Sequence, residues 1–412
     1  MRCFTAAGEE SAKGNRRWQP RSARREPATW HAPAARLDNL HKMEPSMTAL
    51  STVIRRGLPM TVLALSLVLT TSAVADPRSP NSYAQTNLVS NVSGVGDPDL
   101  INPWGISFNP NAFVWVSDNA TGVATLYDGL GSKQGLVVTI PSANGTDHGT
   151  PTGITFNSSS DFKVGAAGAA FLFATEDGLI AGWNGGTVAT RVFPPAGVTP
   201  TAVYKGIAIA GNGTSHFLYA ADFHNKKIDV LDPTFTLVTP PGAFVDPGIP
   251  PEFGPFNIMN FQGDLYVAFA MKEPDGNDEV AGPGLGFVDV FDADGVLLRR
   301  VATHGRLNAP WGMALAPTGF GKFGNALLVG NFGDGTINAF DLKNGTPLGQ
   351  LRTPDNQTLV IDGLWGIAFG NGILNQPTDV LFFAAGPNGE SDGLYGFIEP
   401  APSTGGGHGH GH

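Results

Sequence analysis

From Asn102 onward the chain alternates short apolar runs with turn residues, and one pattern recurs six times. Each copy opens on a Gly-apolar step, then gives an apolar run ending in a small or acidic residue, a turn, and a third run. The openings are Asn102-Pro-Trp-Gly-Ile, Thr150-Pro-Thr-Gly-Ile, Val203-Tyr-Lys-Gly-Ile, Gly254-Pro-Phe-Asn-Ile, Ala309-Pro-Trp-Gly-Met and Gly363-Leu-Trp-Gly-Ile. Their fourth residues (Gly105, Gly153, Gly206, Asn257, Gly312 and Gly366) are spaced by 48, 53, 51, 55 and 54 residues. Several short strands at such a period predict a propeller, here six-bladed.

Second strands fit Val114–Asp118, Phe171–Thr175, Phe217–Ala221, Leu265–Phe269, Ala326–Gly330 and Val380–Ala384. Third strands include Val123–Tyr127, Ile228–Leu231, Phe287–Phe291, Ile337–Phe340 and Leu394–Ile398. Fourth strands fit Leu136–Ile140, Val188–Phe193, Phe235–Thr239, Val296–Ala302 and Leu348–Thr353, so blades are expected to be four-stranded. The sixth copy lacks a fourth strand, and Tyr83–Ser90 is available to supply it. Ring closure by that strand would remove an exposed sheet edge.

The repeats resemble the NHL-type propeller repeat, above all at 217–232, which shows a strand–Asp–Asn–basic–strand order. Residues 86–398 are similar to a group of exported bacterial proteins expected to be propellers, with the Asn-Pro-Trp-Gly-Ile opening as the most specific part. That resemblance implies fold and export rather than an activity.

Composition agrees with a turn-rich all-β domain: 55 Gly, 32 Pro, 26 Phe and 7 Trp in 412 residues. Net charge is −10 but uneven. Residues 1–75 hold 11 Lys/Arg against 5 Asp/Glu, and the remainder holds 14 against 30. An acidic body of this kind does not fit nucleic-acid binding. Arg55 and Arg56 precede the apolar run Leu58–Leu69, and Ala73-Val74-Ala75 follows. This order predicts a secretory signal over 47–75, hence an exported, periplasmic or extracellular protein without a transmembrane anchor. Residues 1–46 read as a mis-annotated or unstructured extension, 76–400 as the propeller, and 401–412 as a Gly/His tail. The only cysteine, Cys3, lies in the extension, so the mature chain has neither thiol nor disulfide.

A propeller gathers its inter-blade loops and its second-to-third-strand loops on one face, called the top here. His148, His224 and His304 fall there, and an open three-His site could hold zinc and activate a water. Asp147 or Glu176 would then be general base for a lyase or hydrolase. Asp118, Asn119, Glu176 and Asn331 offer oxygens for calcium, or else serve the turns. Met271–Gly286 is the longest top loop and the expected gate. Further ligand-binding candidates are Asn102, Lys205 and Asp222. Trp104, Trp311 and Trp365, at one repeat position, would either stack on a ligand or pack blade to blade. No serine elbow, zinc-protease helix, phosphate loop or dinucleotide fingerprint occurs. The reading that follows is a monomeric binder of an extracellular small molecule, glycan or protein. A metal-dependent enzyme and a structural envelope component are the alternatives.

Overall fold

The computed structural model describes residues 79–91, 96–145, 148–274 and 276–402. The expected leader and Gly/His tail lie outside these residues, as does Asp147. Six antiparallel sheets are arranged as the blades of a propeller. The innermost strands are Pro103–Phe108, Pro151–Phe156, Tyr204–Gly211, Phe253–Phe261, Pro310–Leu315 and Leu364–Phe369. Each touches the next, and the sixth touches the first, closing the ring.

The glycines at the repeat step explain how six inner strands approach one axis. A Cβ on Gly366 would lie 2.4 Å from the Trp104 carbonyl oxygen of the next blade, and one on Gly312 would lie 2.4 Å from that of Trp365. Only a residue without a side chain fits there. Blade 4 departs from the rule with Asn257, whose Nδ2 donates to the Trp311 carbonyl at 2.8 Å, so this side chain bridges two blades.

Adjacent blades bury six apolar clusters, one in each of the six interfaces. These account for the apolar second and third strands, which are covered on both faces. The expected closure is present: Tyr83–Ser90 pairs antiparallel with Leu394–Pro400 as the outer strand of the sixth blade. Tyr83 anchors it, its hydroxyl donating to the Phe320 carbonyl and accepting from the Phe323 amide, both at 3.2 Å.

Five blades are the expected four-stranded sheets, and the sheet of blade 3 has three strands. Residues 235–239 make only an isolated bridge, Leu231 to Leu237, beside hydrogen bonds to Val230. Pro233, Pro240 and Pro241 remove ladder donors, and Phe235 sits at φ 62°, so a regular edge strand cannot form. In blade 1 the fourth strand shrinks to Val138–Thr139.

Candidate functional site

Every inner strand shifts register at the residues flanking the Gly-apolar step. Such irregularities re-aim side chains. The residue before each step is Trp104, Thr152, Lys205, Phe256, Trp311 and Trp365 in blade order. Trp104, Phe256, Trp311 and Trp365 pack with Phe223 and Phe332 into a seventh apolar cluster. Trp104 and Trp365 stack with centroids 3.5 Å apart, and Trp311 meets both edge-on. The three tryptophans are at most 3% exposed. They therefore form a plug rather than a stacking surface for ligands, and the reading of Trp104, Trp311 and Trp365 as direct ligand contacts is corrected accordingly. The glycines of the repeat step line a cavity of about 20 Å³ beside Trp311, room for roughly one water molecule.

Lys205 holds the equivalent position in blade 3. Its side chain is 1% exposed, and Nζ lies 2.5 Å from Glu176 Oε1 and 3.3 Å from Asp278 Oδ1. The ammonium also sits 5.0 Å from the Trp104 ring centroid, within range of a cation–π contact. Glu176 is oriented by Asn119, whose Nδ2 donates to Oε2 at 2.8 Å. Asn102 links plug to rim: Trp365 Nε1 donates to its Oδ1 at 3.0 Å, and its Nδ2 donates to Glu390 Oε2 at 2.6 Å. Trp311 Nε1 donates to the Lys205 carbonyl at 3.1 Å. Trp104 Nε1 is buried without a partner among the described residues.

Carboxylates outnumber cations here. Burial alone would lower the Lys205 pKa, but Glu176, Glu279 and Asp278 together hold it above its ordinary value. Lys205 is therefore a fixed ammonium, unsuited to act as a nucleophile. Burial pushes the Glu279 carboxyl up to about 7 against the pull of Lys205, with Glu390 and Asp278 adding to the rise. Burial also raises Glu390, against its Asn102 hydrogen bond, and the Glu176 charge adds to the effect. Glu390 sits at φ 67°, a conformation that costs a non-glycine residue on the order of 1–3 kcal/mol.

The three histidines do not converge. Among the described residues no group of three or more His, Cys, Asp or Glu is placed to hold a metal ion. Each histidine instead ties down a top loop. His148 Nδ1 meets the Thr121 carbonyl at 2.9 Å, His224 Nδ1 meets Asn277 Oδ1 at 2.6 Å, and His304 Nδ1 meets the Gly284 carbonyl at 2.7 Å. The last two pin the long blade 4 loop, which carries Asp278 and Glu279 to the plug.

Asp118, Asp222 and Asn331 are also corrected. All three are fully buried and end second strands, where they clamp their own connections. Asp118 Oδ2 accepts from Thr125 at 2.8 Å, and burial drives its pKa well above the ordinary range. Asp222 accepts from the Val203 and Asn225 amides, while Asn331 Nδ2 donates to Arg306 and Thr336. The calcium set proposed from Asp118, Asn119, Glu176 and Asn331 is therefore not assembled. Of the sequence candidates, Asn102, Asn119, Glu176 and Lys205 are brought together over the plug. Asp278, Glu279 and Glu390 complete the cluster from the loops of blades 4 and 6.

No family model matches the chain. It is 35% identical over 337 residues to the uncharacterized protein R648 of Acanthamoeba polyphaga mimivirus, covering 78% of this chain and 81% of the viral protein. A second mimivirus protein, L690, is 37% identical over 321 residues, covering 73% and 81%. These relatives are viral and do not bear on the bacterial grouping expected from the repeat. Among solved structures, the soluble aldose sugar dehydrogenase of Escherichia coli in its apo-form covers 78% of this chain and 100% of its own, with TM-score 0.47 and 14% identity. A streptogramin B lyase covers 78% and 98%, with TM-score 0.46 and 13% identity. Likeness at that level carries no argument about what this chain does.

Proposed function

The chain belongs to one family with the two mimivirus proteins, and we propose that it is a ligand-binding propeller taking a small amine-bearing molecule at its top-face mouth. The observation that carries this reading is Lys205. Three other blades close the same position with tryptophan and one with phenylalanine, so the fold has no need of a charge there. A buried ion pair is at best a weak source of stability compared with an apolar replacement. Rule-breaking side chains of this kind concentrate at functional sites.

The sign of the ligand follows from the charge balance. One ammonium faces Glu176, Asp278 and Glu279, and Glu390 adds to the field on them. Burial raises the Glu279 and Glu390 carboxyls and Lys205 offsets this only in part; a cationic ligand would add to that offset. Titration calorimetry with putrescine against 1,4-butanediol tests this. The diamine is expected to bind and the diol not, with the diamine weakened about tenfold by Glu279→Gln, the effect of losing a hydrogen bond to a charged group. Equal behaviour of the two compounds would sink the reading.

We further propose export, on the basic–apolar–small order of 55–75. An N-terminus at Asp76 in protein recovered from outside the cytoplasm supports this; an uncleaved chain retained inside argues against it.

A further inference from the structure

A separate cavity of about 560 Å³ lies between the outer parts of blades 4 and 5. Its size is that of a small-molecule pocket, typically about 300–1,000 Å³. The walls include Val301 and Ala302 of the strand Leu297–Thr303 and Ala339 and Phe340 of the strand Ile337–Asp341. Those four residues are no more than 6% exposed as the blades pack. The gap exists because the outer strand of blade 5 is short, Pro347–Gln350, and its register against the third strand slips beside Phe340. At one end Gly345 lies so close to the Val301 carbonyl that a Cβ would come within 2.1 Å of it, so the turn rests directly on blade 4.

Two polar features distinguish this cavity from a packing gap. Arg306 stands at it with an exposed side chain, hydrogen-bonded to the neutral Gln350 Oε1. Among the described residues no carboxylate pairs with its guanidinium, in a chain whose propeller portion is strongly acidic. The second feature is Asn338, which also lines the cavity and is 2% exposed. Its Nδ2 donates to the Arg306 carbonyl at 3.3 Å, whereas its Oδ1 is buried with no partner. An orphaned acceptor of this kind costs about 1–3 kcal/mol unless a donor reaches it.

We propose that this inter-blade cavity binds a small organic carboxylate with an apolar body and one N–H or O–H donor. The carboxylate pairs with Arg306, whose forked donors suit that geometry. The apolar body covers Leu348 and the Phe340 side of the wall, and the donor serves Asn338. This site is independent of the amine site at the mouth.

Indole-3-propionate is the probe, followed by titration calorimetry on the whole chain, with uncharged 3-methylindole as comparison. Expected are saturable one-to-one binding of the acid, much weaker binding of 3-methylindole, and roughly tenfold or greater weakening by Arg306→Gln. Leu348→Glu, which sets a negative charge at a 42% exposed rim position, should abolish binding. Both substitutions are at exposed positions, and an unchanged thermal transition verifies that each variant is folded. Absence of saturable binding overturns the proposal. So does equal affinity for the two indoles, or binding unaffected by Arg306→Gln in a folded variant.

Discussion

Lys205 Nζ meets Glu176 Oε1 at 2.5 Å beneath the top surface, with the Trp104 ring 5.0 Å from the ammonium. The pair joins the inner strand of blade 3 to a loop of blade 2, and the lysine is buried while the glutamate is a quarter exposed. Removing the glutamate strands the ammonium. Glu176→Ala is expected to destabilise by about 3 kcal/mol, the low end for breaking a buried pair, because Asp278 remains nearby. The double variant Lys205→Met/Glu176→Ala should recover most of that loss relative to Glu176→Ala alone. Urea unfolding of the two single variants and the double variant measures the coupling; additive losses would contradict it.

Glu279 gives the site a pH dependence. Its carboxyl holds a proton up to about 7 in the folded chain, whereas an unfolded glutamate releases it near 4.5. The native state thus binds more protons in that window, and its contribution to stability falls as pH rises from about 4.5 to about 7. Asp289, which burial also raises to about 7, acts in the same direction. Glu279→Gln should gain stability relative to wild type on the order of 1–2 kcal/mol between pH 4.5 and 7.5, reduced from the full linkage by partial solvent exposure. Unfolding free energies at the two pH values check this. Diamine affinity should move the opposite way, strengthening through pH 7 as the carboxyl ionises.

The axial glycines tolerate no side chain. Gly366→Ala forces a Cβ to within 2.4 Å of the Trp104 carbonyl oxygen, which belongs to backbone and cannot swing aside. A loss of about 1–3 kcal/mol is expected, as for overpacking elsewhere. Gly145→Ala has open space around the new Cβ but pays a backbone cost at φ 72°, so it should lose only about 1 kcal/mol. Thermal unfolding of the two variants separates crowding from conformational preference.

The closing strand depends on Tyr83, which is fully buried among Phe320, Phe323 and Ile398. Tyr83→Ala should cost about 3–5 kcal/mol, and Tyr83→Phe, which loses only the hydroxyl bonds, about 1 kcal/mol. The alanine variant should also show concentration-dependent association by light scattering, because a loosened seam exposes a strand edge.

The fold was legible because one repeat occurs six times, and Gly105 through Gly366 mark its phase without reference to contacts. The site was less so. Lys205 occupies the tryptophan position of the repeat, and aligning the six openings column by column would have shown it as the one charged member. Its partners left no local pattern, since Glu176, Glu279 and Glu390 come from the loops of blades 2, 4 and 6 and meet only across the ring axis. Asp118, Asp222 and Asn331 misled for a related reason. A residue's place in a loop does not tell whether its side chain faces solvent or turns inward to hold that loop. The histidines lie in three separate loops, and sharing a rim does not bring side chains within reach of one ion.

The seam between Tyr83–Ser90 and Leu394–Pro400 joins positions about three hundred residues apart, the Gly393 amide reaching Asn91 Oδ1 across 302. The first strand among the described residues therefore has its ladder partner only in the last one. A chain cut short before Leu394 never supplies that neighbour and keeps an open edge that proteases recognise. The architecture thus checks its own completeness, since only a polypeptide carried through to the sixth blade can lock.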